Sequence, residues 1–284
     1  MIKTNNNYFI LTLAVLLCYS PVYFANYAFS DDWYYLFSAQ MDRAGILKWD
    51  VLSGRPVYGI IRYLCATFID DVSSLKILRL LSVSSLCLLS CFICHFITKR
   101  DLLQNHAQRL AFTLSLSLLP SFQVFSAWSV CFPYIAAVLF SALSYSLLVS
   151  RLNFWRIIFT FVLLSTSFAI YQPAAMCFLF FAFLDNSLGK GTPDRKKLSS
   201  VIAVLIAGML MALFLSRTLP FLLYQEVLSR TSITTEFTAK LIWFIKQPLT
   251  NAICNFDLGK KVVYLGLSLL FIGLGLKKLF SQGS

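Results

Sequence analysis

The feature that most constrains this chain is the repetition of apolar runs of about 18 residues or more, which are separated by short segments that carry lysine and arginine. The chain is 58% hydrophobic and 13% charged, whereas soluble domains carry about 25% charged residues. Runs of this length are typical of helices that cross a lipid bilayer. We therefore predict an all-α polytopic membrane protein, with residues 1–284 forming a single integral membrane domain.

The hydrophobic pattern predicts about eight membrane spans. They cover residues 8–28, 75–97, 110–128, 133–150, 155–171, 173–185, 198–220 and 261–276. The runs at 155–171 and 173–185 are short, so they form either two spans or one kinked or re-entrant element. We expect the break between them at Gln172, because proline disfavours helix at the residue before it.

The basic residues predict the orientation of the spans. If the N-terminus is inside, the short inner loops hold a dense set of basic residues, namely Lys3, Lys99, Arg100, Arg109, Arg151, Arg156, Lys190, Arg195, Lys196, Lys197, Lys277 and Lys278. Short loops rich in Lys and Arg stay on the cytoplasmic side, so we expect both termini to be cytoplasmic. Two longer segments, approximately 29–74 and 221–260, then lie outside.

The same loops account for the net charge of +12. The cations are spread between apolar runs rather than gathered on one patch. This distribution favours a role as topology signals and as contacts for lipid phosphates over a nucleic-acid partner.

The first apolar run has a second interpretation as a cleaved signal peptide, since Lys3 precedes it. A retained span is favoured, because the run is long, contains Pro21 and has no small-x-small site before Asp31.

Two adjacent carboxylates, Asp31 and Asp32, follow the first span. Acidic residues number only twelve in 284, so a pair at a membrane exit is a candidate site for a proton, a divalent cation or a sugar hydroxyl. Neighbouring acids close to lipid disfavour double ionisation, and either could act as a general base. A simpler interpretation also stays open, in which they stabilise the start of the next helix.

The rest of residues 29–74 mixes apolar and charged side chains, which predicts short helices lying in the plane of the membrane interface. The apolar members of this pattern are Leu36, Phe37, Ile46, Leu47 and Trp49. Arginine binds phosphate oxygens through its planar fork. The candidates for an anionic headgroup are Arg55, Arg62 and Arg79.

Aromatic and amide side chains at the outer helix ends are candidates for binding sugars. Aromatic rings can pack against sugar faces, although they are also common at bilayer interfaces for other reasons. The candidates are Trp33, Tyr34, Trp128, Tyr171 and Gln172.

Three short motifs carry a resemblance to a known family: Ser30-Asp31-Asp32-Trp33, Gly54-Arg55-Pro56 and Tyr171-Gln172-Pro173. Together they resemble the bacterial membrane glucosyltransferases that modify O-antigen in serotype conversion. That family is similar to the wider group of multi-spanning glycosyltransferases with the GT-C fold. The resemblance covers approximately residues 8–280.

The resemblance implies an inverting hexosyltransferase of the bacterial inner membrane. It would move glucose, on the periplasmic side, from undecaprenyl-phosphate glucose to a hydroxyl of lipid-linked O-antigen in lipopolysaccharide. Asp31 and Asp32 would be the catalytic carboxylates, and the three arginines would bind the donor phosphate. The only cofactor to consider is a divalent cation on the two carboxylates. Members of the family are usually longer than this chain, so a shortened or inactive relative of the family is a further interpretation.

Other classes remain as alternatives. A transporter or flippase of lipid-linked sugars usually has ionisable groups within its spans and repeat symmetry, whereas here only Arg79 and Arg217 lie near span ends. An O-antigen polymerase or ligase would use arginines in large outer loops, and a structural membrane partner is the last class.

The Cys91-Phe92-Ile93-Cys94-His95 motif has the spacing of haem attachment, but its position in an apolar helix favours packing.

Overall fold

The computed structural model describes residues 2–150, 153–189, 195–226, 235–253 and 260–282. Within these ranges the regular structure is helical, and no strand occurs. The chain divides into two compact units, Met1–Thr231 and Ser232–Ser284.

The first unit is a series of helices joined by short connections. In chain order they are α1 (Ile2–Cys18), α2 (Ser20–Phe24), α3 (Asp31–Met41), α4 (Arg43–Leu52), α5 (Pro56–Cys65), α6 (Leu75–Lys99), α7 (His106–Ser117), α8 (Pro120–Ala127), α9 (Pro133–Ser150), α10 (Phe154–Ile170), α11 (Gln172–Ala175), α12 (Cys177–Leu188) and α13 (Arg195–Tyr224). Single 3₁₀ turns, Ala66–Phe68 and Ser129–Cys131, follow α5 and α8. The second unit contains α14 (Phe237–Phe244), a π-helical turn (Ile245–Leu249), α15 (Thr250–Ile253) and α16 (Lys261–Gln282).

In the described part of the chain, three helical stretches are long and apolar enough to cross a membrane: Leu75–Lys99, Ser129–Ser150 and Leu198–Tyr224. Helices α7 and α8 pass the same test together but are bent by 52°, which makes them a broken span or a re-entrant loop. The shorter apolar helices are Asn6–Cys18, Phe154–Ile170 and Lys261–Leu270. The predicted all-α membrane character is confirmed at this level, and the count of about eight spans stays a prediction.

Two predicted spans are interrupted at prolines. The run predicted as one helix over 8–28 is divided between α1 and α2, because Pro21 has no amide hydrogen to continue the first helix. The run predicted over 110–128 breaks at Leu119, whose ψ of 142° is extended, as expected for the residue before Pro120. In both cases a proline explains the break, through its missing amide hydrogen at Pro21 and through its steric restriction of the preceding residue at Pro120.

The break predicted at Gln172 lies one residue earlier. Tyr171 has extended backbone angles, φ −157° and ψ 110°, and Gln172 already begins α11. The short α11 is then followed by α12, so the chain turns at this point instead of running on as one straight helix. This turn brings the Tyr171 side chain towards the ends of α8 and α9.

The thiols of α6 pack against α1, as predicted. The Cys87 Sγ lies 3.9 Å from the Thr12 carbonyl oxygen, and the Cys91 Sγ lies 3.9 Å from the Tyr8 carbonyl oxygen. The Tyr8 hydroxyl is also 3.3 Å from the His95 ring. These contacts confirm a helix–helix packing surface at the Cys-x-x-Cys-His motif.

The segment 29–74 folds into α3, α4 and α5. Helix α4 is capped by Asp42, whose carboxylate accepts a hydrogen bond of 2.9 Å from the Gly45 amide. Helices α4 and α5 form a tight hairpin, in which Gly59 faces Asp50 and Leu47. Apolar members of the interfacial pattern divide between two sides, since Ile46 is buried in the core while Phe37 is exposed.

Gly59→Ala should destabilise the protein by about 1–3 kcal/mol. A Cβ at this position would lie 2.9 Å from the Asp50 Cβ, so α4 and α5 would have to move apart. The measurement is thermal unfolding of the full chain, followed by circular dichroism. Gly266→Ala in α16 is the control, because its Cβ would meet nothing within 4 Å. Equal unfolding temperatures for the two variants would contradict the tight α4–α5 contact.

Candidate functional site

A cavity of about 810 Å³ lies where α3, α4 and α5 meet the ends of α8, α9 and α10. Its wall combines aromatic rings with a small number of charged side chains, a combination typical of a small-molecule site. Six of the ten predicted site residues line it: Asp31, Tyr34, Arg55, Arg62, Trp128 and Tyr171. Residues from three distant parts of the sequence are therefore brought into one cavity.

Asp31 is the first residue of α3, and its carboxylate is exposed to the cavity. The Ser30 hydroxyl lies 3.5 Å from one of its oxygens. Ser30 has a φ of +48°, in the left-handed region that non-glycine residues rarely adopt. This turn ends the preceding loop and starts α3 with an acid in its first turn, where a negative charge interacts favourably with the helix dipole.

Asp32 has a different environment, since it is fully buried and does not line the cavity. Its two oxygens accept hydrogen bonds from the Phe29 amide at 3.1 Å and the Val130 amide at 3.0 Å. Burial raises the pKa of Asp32, while these amides and Arg79 oppose the rise. These interactions hold the start of α3 against the turn before α9, so the role of Asp32 is structural.

Arg79 completes this buried arrangement from α6. Its guanidinium is 3.7 Å from the Asp32 carboxylate, and both side chains are fully buried. It also donates to the carbonyl oxygens of Ala25 and Tyr27, and it lies over the Tyr27 ring. Arg79 therefore holds the loop before α3 and is placed away from the cavity that it was predicted to serve.

Arg62 lines the cavity but is already paired. Its Nη1 donates to both oxygens of Asp50, at 3.1 and 2.9 Å, and the pair is buried. Its guanidinium also lies over the rings of Tyr35 and Tyr58. Burial raises the pKa of Asp50, and the positive charge of Arg62 opposes that effect. The pair gives the cavity wall a polar surface with no net charge.

Arg55 is the predicted arginine whose charge is still available to a ligand. It is partly exposed in the cavity, and no carboxylate in the described ranges lies within ion-pair distance of it. Its Nη1 donates to the Tyr134 hydroxyl at 3.0 Å, and its guanidinium lies over the Tyr58 ring at 5.0 Å. These two contacts orient the guanidinium without neutralising it.

The aromatic wall is centred on Tyr134 and Tyr171. Their rings are stacked, with centroids 3.9 Å apart and planes inclined by 4°. Phe125 meets both rings edge-on. Trp128 lines the same wall, and its ring packs edge-on against Phe29. The indole nitrogen of Trp128 is buried behind this wall, with no hydrogen-bond partner in the described structure.

The remaining two predicted residues lie elsewhere. Trp33 is on the outer face of α3, 57% exposed, and does not line the cavity. Gln172 lines a separate apolar groove of about 560 Å³ with Met176 and Leu213. Its side-chain amide donates to the Gly54 carbonyl oxygen at 3.3 Å, so it supports the loop that carries Arg55.

Several residues of the cavity were not predicted from the sequence. They are Trp49, Asp50, Tyr58, Phe125 and Tyr134. A signal for Tyr58 was present, because Arg55, Tyr58 and Arg62 have the three- and four-residue spacing of one helix face. For Tyr134 the sequence offers only its place after Pro133, because its contact with Arg55 joins residues 79 positions apart.

The two adjacent aspartates do not fit a shared divalent cation. The oxygens of Asp32 are occupied by two amides and face Arg79, while Asp31 is directed to the cavity. Among the described residues, no group of three or more His, Cys, Asp or Glu side chains comes together as a metal site.

Comparisons with protein-family models, with curated proteins and with solved structures give no match for this chain.

Proposed function

We propose that this chain is a membrane glycosyltransferase that moves a hexose from a polyprenyl-phosphate sugar to a glycan acceptor at the membrane surface. The observation that carries the proposal is the placement of a carboxylate, Asp31, and a guanidinium, Arg55, in the same aromatic-walled cavity, neither of them in an ion pair among the described residues. The GT-C-like arrangement, the eight spans and the periplasmic side of the site are parts of this proposal. So are undecaprenyl-phosphate glucose as donor and lipid-linked O-antigen as acceptor.

The proposed reaction divides its tasks between these two side chains. Asp31 accepts the proton of the acceptor hydroxyl, and the hydroxyl oxygen attacks the anomeric carbon of the donor. The bond between that carbon and the phosphate oxygen breaks, and the phosphate leaves with the electron pair. Attack from the face opposite the phosphate inverts the configuration at the anomeric carbon. Arg55 stabilises the negative charge that develops on the departing phosphate.

The charge of the cavity supports a donor with a single negative charge. Arg62 is neutralised by Asp50, and Arg79 is neutralised by Asp32, so Arg55 is the cation left for the ligand. A sugar joined to a lipid through one phosphate is a monoanion, which one guanidinium can pair. A diphosphate or a nucleotide sugar would place at least two negative charges beside the Asp31 carboxylate, and the guanidinium of Arg55 does not balance them.

The aromatic wall supports a sugar as the transferred group. Tyr34, Trp128 and the stacked Tyr134–Tyr171 pair present apolar ring surface beside polar groups. Sugars have the same mixture, with apolar C–H faces and hydroxyl edges.

Glycan mass spectrometry tests the proposal. The full chain is expressed in a bacterial host that supplies undecaprenyl-phosphate glucose, and its lipopolysaccharide is compared with that of the host alone. The proposal expects one added hexose per glycan repeat. No added hexose from well-expressed protein in several acceptor backgrounds would reject the transferase in favour of a transporter or polymerase.

Arg55→Gln should raise the donor KM by about ten- to a hundred-fold, because a charge-assisted hydrogen bond contributes about 1.5–3 kcal/mol. The measurement is the rate of hexose transfer by purified protein over a range of donor concentrations. Arg43→Gln is the control, since Arg43 is exposed on α4 and does not line the cavity. A similar KM for both variants would contradict the phosphate role of Arg55.

A further inference from the structure

Helix α3 exposes an apolar stripe on the side that faces away from the core. Its buried residues are Asp32, Tyr35, Ser38 and Ala39, so the buried side contains a carboxylate as well as apolar side chains. The exposed stripe consists of Trp33, Phe37 and Met41, which are spaced four residues apart along the helix. Each is at least 57% exposed. A helix in water would carry polar side chains on that side.

Helix α5 and the 3₁₀ turn after it expose a second apolar stripe. Their buried side contains Arg62, which is paired with Asp50, together with Tyr58 and Ala66. The exposed face carries Ile60, Leu64 and Phe68, again four residues apart. The two stripes are independent observations, since they belong to different helices of the segment 29–74.

Three media could cover these stripes: water, another protein or lipid. Water is unfavourable, because contiguous exposed apolar surface of this kind marks an interaction site. The chain itself favours lipid. Phe68 lies only seven residues before Leu75, where the membrane-spanning α6 begins, and α5 packs against α13, which contains another candidate span. The stripes are thus held beside the membrane on the same side as the cavity.

We infer that the outer stripes of α3 and α5 insert into the lipid leaflet on the side of the cavity, with Trp33, Phe37, Met41, Ile60, Leu64 and Phe68 in contact with acyl chains. The opposite sides of the same helices carry cavity residues, namely Tyr34 on α3 and Tyr58 on α5. The rim of the cavity therefore lies at the depth of the lipid headgroups, and a ligand anchored in the leaflet reaches it without leaving the membrane. This inference depends on helix polarity and not on the transfer reaction.

Fluorescence quenching by brominated lipid tests the inference. The full chain with Trp33 as its single tryptophan, made by Trp49→Phe, Trp128→Phe, Trp155→Phe and Trp243→Phe, is reconstituted in phosphatidylglycerol and phosphatidylethanolamine bilayers. Replacing the lipids with forms that carry bromine on the acyl chains should lower the Trp33 emission by about two-fold or more, because an inserted side chain reaches the headgroup–acyl boundary. Aqueous acrylamide should have little effect on the same emission.

A protein with Trp49 as its single tryptophan is the matched control. Trp49 is on the same segment, 29–74, but lines the cavity, so acrylamide should quench it more than brominated lipid does. A second comparison keeps all other tryptophans and changes only Trp33→Phe, which should reduce the fraction of emission that brominated lipid quenches. Acrylamide quenching of Trp33 without lipid quenching would overturn the inference in favour of water. Quenching by neither would overturn it in favour of a protein partner.

Discussion

Asp31→Asn should lower hexose transfer by about 10²- to 10⁴-fold, because general-base catalysis typically contributes a factor of this size. The carboxylate is exposed in the cavity, so it is open to the hydroxyl of an acceptor. The amide of asparagine keeps the size and the polarity of the side chain but cannot accept the proton. The measurement is the rate of transfer by purified protein at a fixed donor concentration, alongside the unfolding temperature of each variant.

Asp42→Asn provides the matched control for this experiment. Asp42 is another exposed acid of the segment 29–74, and it caps α4 instead of lining the cavity. Asparagine caps helices about as well as aspartate, so this variant should keep both its fold and its transfer rate. A loss of transfer in Asp42→Asn as large as that in Asp31→Asn would show that the Asp31 effect is not specific to the cavity. Unchanged transfer in Asp31→Asn would remove the base from the proposal.

The sequence could identify Asp31 and Asp32 as a pair but could not separate their environments. Adjacent residues of a helix point about 100° apart, so two neighbours can have different surroundings. Which of the two faces the cavity is decided by the Val130 amide, 98 residues away, and by Arg79 on α6. Contacts over such distances depend on how the helices pack, and local spacing carries no information about them.

The arginines illustrate the same limit. Arg55, Arg62 and Arg79 look alike in the sequence, since all three lie in or shortly after the segment 29–74. Their difference arises from the partners: Arg62 meets Asp50, twelve positions away, and Arg79 meets Asp32. The spacing of Asp50 and Arg62 across the Gly54 turn fits a helical hairpin, so that pair could be predicted in part from the sequence. The pair formed by Arg79 and Asp32 could not be predicted in this way.

The fold was easier to predict from the sequence than the site. Apolar periodicity was sufficient for an all-α membrane protein, because the length of a span is fixed by the thickness of the bilayer. The breaks at Pro21 and Pro120 follow from local chemistry and were also open to prediction. The aromatic wall was not, because Tyr134 and Tyr171 are brought together by the packing of α9 against α10 and α11.

Asp32→Ala should destabilise the protein by about 3–5 kcal/mol, which is the usual cost of removing one partner of a buried ion pair. The substitution leaves the fully buried Arg79 without its carboxylate and the Phe29 and Val130 amides without their acceptor. The measurement is denaturant or thermal unfolding of the full chain in one detergent, followed by circular dichroism. The energetic reason is desolvation, since a guanidinium withdrawn from water is stabilised mainly by the groups that surround it.

Asp31→Ala is the sharpest control, because it removes the same side chain one position earlier. Asp31 is exposed and has no buried partner among the described residues, so this variant should stay within about 0.5 kcal/mol of the unaltered chain. The two neighbours should then show opposite behaviour, with transfer lost at position 31 and stability lost at position 32. Equal destabilisation at both positions would contradict the buried arrangement of Asp32 and Arg79. Because the two readouts are independent, they separate the acid that reacts from the acid that holds the site together.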